Sequence, residues 1–163
     1  MKVNEEARAA LLAEVKDISD ADLNKRPADD AWSIKQILEH LYLMEGEIAK
    51  IVDAQMISGE EDEAKRRRIE LSVNRSVKVD APEFAVPSED FVTLAELKEK
   101  LAATHASLHA VAEKYSEAEF AEKTLPHPAF GKMSLDQWIP FVGYHEMRHI
   151  EQIQEVKASL GIA

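Results

Sequence analysis

Apolar residues recur along this chain at steps of three and four, the spacing that gathers side chains on one face of an α-helix. Four segments carry the pattern. The first runs from about Asn4 to Ile18, with Ala7, Leu11, Val15 and Ile18 on one stripe. The second opens at Ser33, which has capping-box spacing to Gln36. It continues through Ile34, Ile37, Leu41, Met44, Ile48, Ile51 and Val52 toward Ile57 and a stop signal at Ser58-Gly59. The third spans Thr93 to Tyr115, with Leu94, Leu97, Leu101 and Leu108 in register. The fourth begins at Ser134, again with capping-box spacing to Gln137. It passes Trp138, Val142, Ile150, Ile153 and Val156 before Gly161, with a bend expected near Pro140 to Gly143.

Each stripe needs a partner face, and four stripes satisfy one another as an all-α four-helix bundle. Residues 1–163 suit a single domain of this kind. Ser19 to Trp32 joins the first two helices. A longer stretch, Ser58 to Val92, joins the second and third as a loop or with a short helix of its own from Glu63 to Val73. Connections of this length usually carry function or local structure. Within it, the run from Glu60 to Arg68 places Glu61 four residues before Lys65 and Glu63 four before Arg67, the spacing of ion pairs along a solvated helix.

Charge and composition narrow the function classes. The formal net charge is −11, from 31 acidic and 20 basic residues, which disfavours nucleic acid and anionic lipid as partners. No apolar stretch is long enough to span a membrane and the first residues form no signal sequence, so a cytoplasmic protein is expected. Cysteine is absent, which removes disulfides, thiolate ligands and a cysteine nucleophile together. There is no glycine-rich phosphate loop, no G-x-S-x-G elbow and no H-E-x-x-H.

Histidine remains. His145 and His149 are four apart on the stripe of Val142, Ile153 and Val156, so both rings point into the bundle, where each buried nitrogen needs a partner. His40 lies beside Ile37, Leu41 and Met44 on the second helix. Together the three make a three-nitrogen metal site with positions left for water, and spacing alone admits Zn, Ni, Fe or Mn. His105 and His109 repeat the four-residue spacing but sit partly among alanines, which leaves their role open. His127, between Pro126 and Pro128, reads as loop geometry or the rim of a pocket.

Several pieces of the chain resemble the DinB-like superfamily of metalloproteins, four-helix bundles that include YfiT-type metal hydrolases and thiol-dependent transferases. The matching pieces are Ala31-Trp32-Ser33-Ile34 through Glu39-His40, the segment Asn74-Arg75-Ser76 leading to Ala81-Pro82-Glu83, His127-Pro128-Ala129-Phe130-Gly131 with Met133-Ser134-Leu135 and Trp138, and His145-Glu146-Met147-Arg148-His149. The resemblance implies metal ligation by His40, His145 and His149 and one divalent ion, with Zn or Ni favoured over Fe or Mn. It also implies a homodimer in a bacterial cytoplasm, and a small-molecule substrate, with low-molecular-weight thiols such as bacillithiol, mycothiol or glutathione among the candidates. It names no catalytic residue and no substrate. A metal-dependent transferase or hydrolase is the expected activity; the competing expectation is a ligand-binding protein whose metal is structural.

Overall fold

Four long helices take up the four apolar stripes. The computed structural model describes residues 1–163, with α1 at Lys2–Val15, a single turn α2 at Asp20–Leu23, α3 at Ile34–Ser58 and α4 at Leu94–Lys114. A short α5 (Glu117–Ala121) and a two-stranded ribbon, β1 (Thr124–His127) and β2 (Gly131–Ser134), lead into α6 (Leu135–Leu160). The architecture is a four-helix bundle of α1, α3, α4 and α6. Its ends follow from local chemistry. Ser33 and Gln36 exchange the two hydrogen bonds of a capping box at the start of α3, and Thr93 and Glu96 do the same for α4. At the other end of α6, Gly161 takes the left-handed conformation (φ +70°) that closes the helix.

Pairing sets the topology. α1 packs on α6, α6 on α3, and α3 on α4. The Asn4 side-chain amide donates to the Ile139 carbonyl (2.8 Å) and Lys157 reaches Glu14 (3.0 Å), so α1 and α6 run in the same direction. Gly46 lies against Thr104, and Lys114 pairs with Asp53 (2.9 Å), so α3 and α4 are parallel as well. Parallel neighbours cannot be joined by a tight turn. The chain must travel back along the bundle, about 37 Å for a helix of 25 residues. This is the physical reason for the long connection after Ser58.

That connection is less helical than its charge pattern suggests. Residues 59–68 form no helix; the expected short helix reduces to a 3-10 turn at Ile69–Val73, with a second at Glu83–Ala85. Glu61 and Glu63 therefore do not pair with Lys65 and Arg67 along a helix. Asp62 instead pairs with Lys132 of the ribbon (2.8 Å), and Arg66 pairs with Asp136 of α6. The Arg67 backbone N–H donates to Gln137 (2.9 Å), whose amide donates back to the Arg67 carbonyl (2.8 Å). Gln137 is thus committed to the loop, and the capping box expected at Ser134 does not form. The ribbon is a second departure from a purely helical reading. Pro126 and Pro128 read as loop residues; Pro128 does lie in the turn, but Pro126 belongs to β1, because a two-stranded ribbon is all edge and accepts proline.

The core divides into two apolar clusters. One gathers Ile48, Val52, Leu108, Val111, Trp138, Ile139 and Phe141; the other gathers Leu11, Val15, Ile37, Leu38, Leu97, Leu101, Ile153 and Val156. On each long helix a polar residue falls between them: Arg8, Glu45, Thr104, and Glu146 with the α6 histidines. The functional chemistry lies in this middle layer.

Candidate metal centre

Antiparallel packing of α3 on α6 brings His40 onto the face that carries His145 and His149. The three rings offer nitrogen atoms that all lie within 4.8 Å of one another. His145 Nε2 stands 3.3 Å from His40 Nε2 and 3.1 Å from His149 Nε2. An ion with metal–nitrogen bonds of about 2.1 Å in a tetrahedron holds its ligand atoms about 3.4 Å apart, so the spacing suits one ion. His40 and His149 are buried and His145 is partly buried.

The outer ring nitrogens settle which face of two rings is available. His40 Nδ1 lies 2.8 Å from the Ala85 carbonyl, which can only accept, so the proton sits on Nδ1 and Nε2 keeps its lone pair. His149 Nδ1 donates to Gln152 Oε1 (2.7 Å) with the same result. His145 can donate one N–H from Nε2 to only one of those two lone pairs. One acceptor in the cluster therefore has no hydrogen-bond donor within the triad, and a cation is the partner that serves all three at once. Electrostatics agree. Burial, followed by the nearby His40, pushes His149 down to about 3. Burial and its two histidine neighbours hold His145 well below its ordinary value, and burial lowers His40. All three are neutral near pH 7, the form that ligates metals.

Neighbouring segments hold this arrangement in place. Lys35, almost wholly buried, donates to the carbonyl and hydroxyl of Ser88 (3.0 and 2.9 Å), which fixes the returning chain that presents Ala85 to His40. Arg148 donates to the carbonyls of Ser72, Asn74 and Val77 and pins the connection across α6. Arg75 grips Glu155 through two bonds of 3.0 Å. Trp32 packs its ring 5.1 Å from that of His40.

The other histidines go elsewhere. His127 ends β1, accepts N–H bonds from Ala129 and Phe130 at Nδ1 (3.0 and 3.3 Å), and packs on Phe141 (ring centroids 4.5 Å apart), which in turn neighbours His145. Burial lowers His127 to about 4. His105 and His109 do not join the triad; they face a groove between α1 and α4.

A buried ionic network stands beside the triad, and the sequence reading above did not anticipate it. Arg8 of α1 donates to Glu146 (2.8 and 3.3 Å), Glu45 (2.9 Å) and the Leu101 carbonyl (2.8 Å). Thr104 and His105 complete the shell of Glu45 at 2.8 and 3.1 Å. The signal was available in the stripes. Arg8 falls between Ala7 and Leu11, and Glu45 falls four after Leu41 and three before Ile48, positions that helical geometry buries.

Comparison with known proteins places this architecture. The family model described as the DinB superfamily matches residues 4–153. The uncharacterized protein YuaE of Bacillus subtilis (strain 168) is 32% identical over 160 residues, covering 98% of both chains. Among solved structures, TT2238, a four-helix bundle protein, superposes with a TM-score of 0.64 at 23% identity, covering 94% of each chain. YfiT from Bacillus subtilis, described as a probable metal-dependent hydrolase with an unusual four-helix bundle topology, superposes with a TM-score of 0.66 at 16% identity, covering 99% of this chain and 86% of its own. A match that takes in all four long helices and both segments of the histidine triad leads to one conclusion: the chain belongs to the DinB superfamily.

Proposed function

We propose that this protein is a metal-dependent enzyme of the hydrolase or thiol-transferase type that acts on a small molecule at His40, His145 and His149, with Zn or Ni as the resident ion. The observation that carries the reading is the shape of the donor set. Three neutral imidazoles converge and no fourth carboxylate or imidazole joins them, so an ion held there would keep a coordination position for water or substrate. A closed structural site would supply a fourth protein ligand, whereas an open position is the mark of a catalytic one. The description of YfiT as a metal-dependent hydrolase supports the same direction.

A divalent ion held there would supply Lewis acidity, lowering the pKa of a water or thiol. The chain's own residues do the rest. The Ala85 carbonyl and Gln152 keep the protons of His40 and His149 on Nδ1 and direct both Nε2 atoms inward. Trp32 covers one side of His40, and Phe141 backs His145. Arg148 keeps the connecting segment across α6.

A panel of hydrolysable esters and amides, and of thiols paired with electrophilic acceptors, tests the proposal when assayed with and without Zn, Ni or Mn. The expected result is turnover of at least one pair that needs the divalent ion and falls by at least 100-fold in His149→Ala. A protein that retains its ion but turns over no pair would overturn the enzymatic reading in favour of a ligand-binding protein.

A further inference from the structure

His105 has both ring nitrogens at hydrogen-bond distance from a carboxylate. Nδ1 lies 3.1 Å from Glu45 Oε2 of α3, and Nε2 lies 3.1 Å from Glu5 Oε1 of α1. A neutral imidazole carries one N–H and one lone pair, so it can donate to one of these oxygens and must turn its lone pair on the other. The imidazolium donates to both. We propose that His105 stays protonated at neutral pH and acts as a pH-sensitive clasp, which ties α1 to α3 and α4 across the groove between α1 and α4.

Every long helix places charge near this ring. Glu5 and Arg8 come from α1, Glu45 from α3, and Glu146 of α6 joins the cluster through Arg8. On α4 itself, His109 stands with Nε2 3.9 Å from the same Glu5 oxygen and Nδ1 3.3 Å from Glu113, and Lys98 lies farther along the groove. The proton could instead sit on a carboxylate, but the surroundings oppose that. Glu45 also accepts from Arg8 (2.9 Å) and Thr104 (2.8 Å), which favours its charged form. Glu5 is more than half exposed, so water solvates its charge. Three carboxylates, Glu5, Glu45 and Glu146, thus gather around a single guanidinium, and a protonated His105 offsets a second negative charge. The hydrogen bond with Glu45 raises His105 above its ordinary value, against burial and the Arg8 charge. A histidine raised in this way stabilises the fold fully below its unfolded value, and that contribution is lost as pH rises through the folded value. Once neutral, the ring can keep only one carboxylate, and Glu5, the exposed partner, is the one free to swing away. α1 packs chiefly on α6, and α4 on α3, so little else spans this seam. The groove, about 580 Å³ and floored by Leu12, Leu101 and Ala106, would then widen.

An NMR titration of the histidine rings in the full chain, with His105 assigned from the signals that His105→Asn removes, tests the clasp. Wild-type His105 should carry protons on both ring nitrogens near neutral pH and titrate above the ordinary value of 6.5. Glu5→Gln, a change at the exposed end, should weaken proton binding by His105 at least threefold. Amide hydrogen exchange along α1, corrected for its intrinsic pH dependence, should quicken as pH rises through the His105 midpoint in wild type and show no such step in His105→Asn. A midpoint at or below 6.5, one that Glu5→Gln leaves unchanged, or α1 exchange that follows the same pH course in wild type and His105→Asn would overturn the proposal.

Discussion

Arg8 carries its charge into the middle of the bundle, where two carboxylates and one backbone carbonyl occupy its N–H groups. Burial works against the guanidinium charge, but the pairs with Glu146 and Glu45 outweigh it and hold Arg8 above its ordinary value. Glu45 balances similarly. Burial alone would raise its carboxyl, and hydrogen bonds from His105, Thr104 and Arg8 together with the Arg8 charge bring it below the usual range. Removing one partner of such a network leaves the other charges buried and unpaired, which costs about 3–5 kcal/mol, whereas replacing the whole set with apolar residues is often neutral. Arg8→Met should therefore lower unfolding stability by about that amount in a urea titration. Arg8→Met combined with Glu45→Leu and Glu146→Leu should recover most of the loss. Equal stability of wild type and Arg8→Met would show that the network holds nothing together.

At the scale of the elements, caps and close approaches decide where helices begin and how near they come. Thr93 caps α4 through Glu96, and the bonds that Glu96 accepts from the Thr93 backbone and hydroxyl depress its carboxyl. A depressed carboxyl stabilises the fold above its unfolded value, and that contribution is lost as pH falls through the folded value. An NMR titration should place the Glu96 midpoint below that of an unpartnered glutamate. Thr93→Ala should move it part of the way back and cost about 1 kcal/mol. At the α1–α6 contact, a Cβ on Gly143 would stand 2.8 Å from Val3 Cγ1 and 3.0 Å from the Asn4 backbone nitrogen. Backbone cannot swing aside as a side chain can, so Gly143→Ala should destabilise by about 1–3 kcal/mol, read as a lower Tm. The same elements show how far the sequence could be read. Apolar stripes located all four long helices to within about three residues, because burial on one face is what makes those segments helical. The capping box at Ser33 formed as its spacing implied, and the one at Ser134 did not, because Gln137 found a stronger claim in the Arg67 backbone. The charge run from Glu60 to Arg68 misled for the same reason: its partners lie on the ribbon and α6, beyond the reach of any local pattern.

For the whole molecule, the parallel placement of α3 and α4 explains both the long connection and the place of the site. The returning chain passes over α3 and α6 and delivers the Ala85 carbonyl to His40. That the three histidines would meet inside the bundle was legible because His145 and His149 lie on an apolar stripe and His40 lies beside one. The outer supports of the triad, Ala85 and Gln152, were not, since a backbone carbonyl carries no sequence signature and an exposed-looking glutamine has many uses. No helix is long and apolar enough to cross a membrane. X-ray absorption spectroscopy on the protein loaded with one equivalent of Zn²⁺ reads the triad directly. Three imidazole nitrogens at about 2.0–2.1 Å with one oxygen is the expected shell, falling below three imidazoles or losing the ion in the variant His149→Ala. A shell of carboxylate and water oxygens, or one unchanged by His149→Ala, would contradict the histidine centre on α3 and α6.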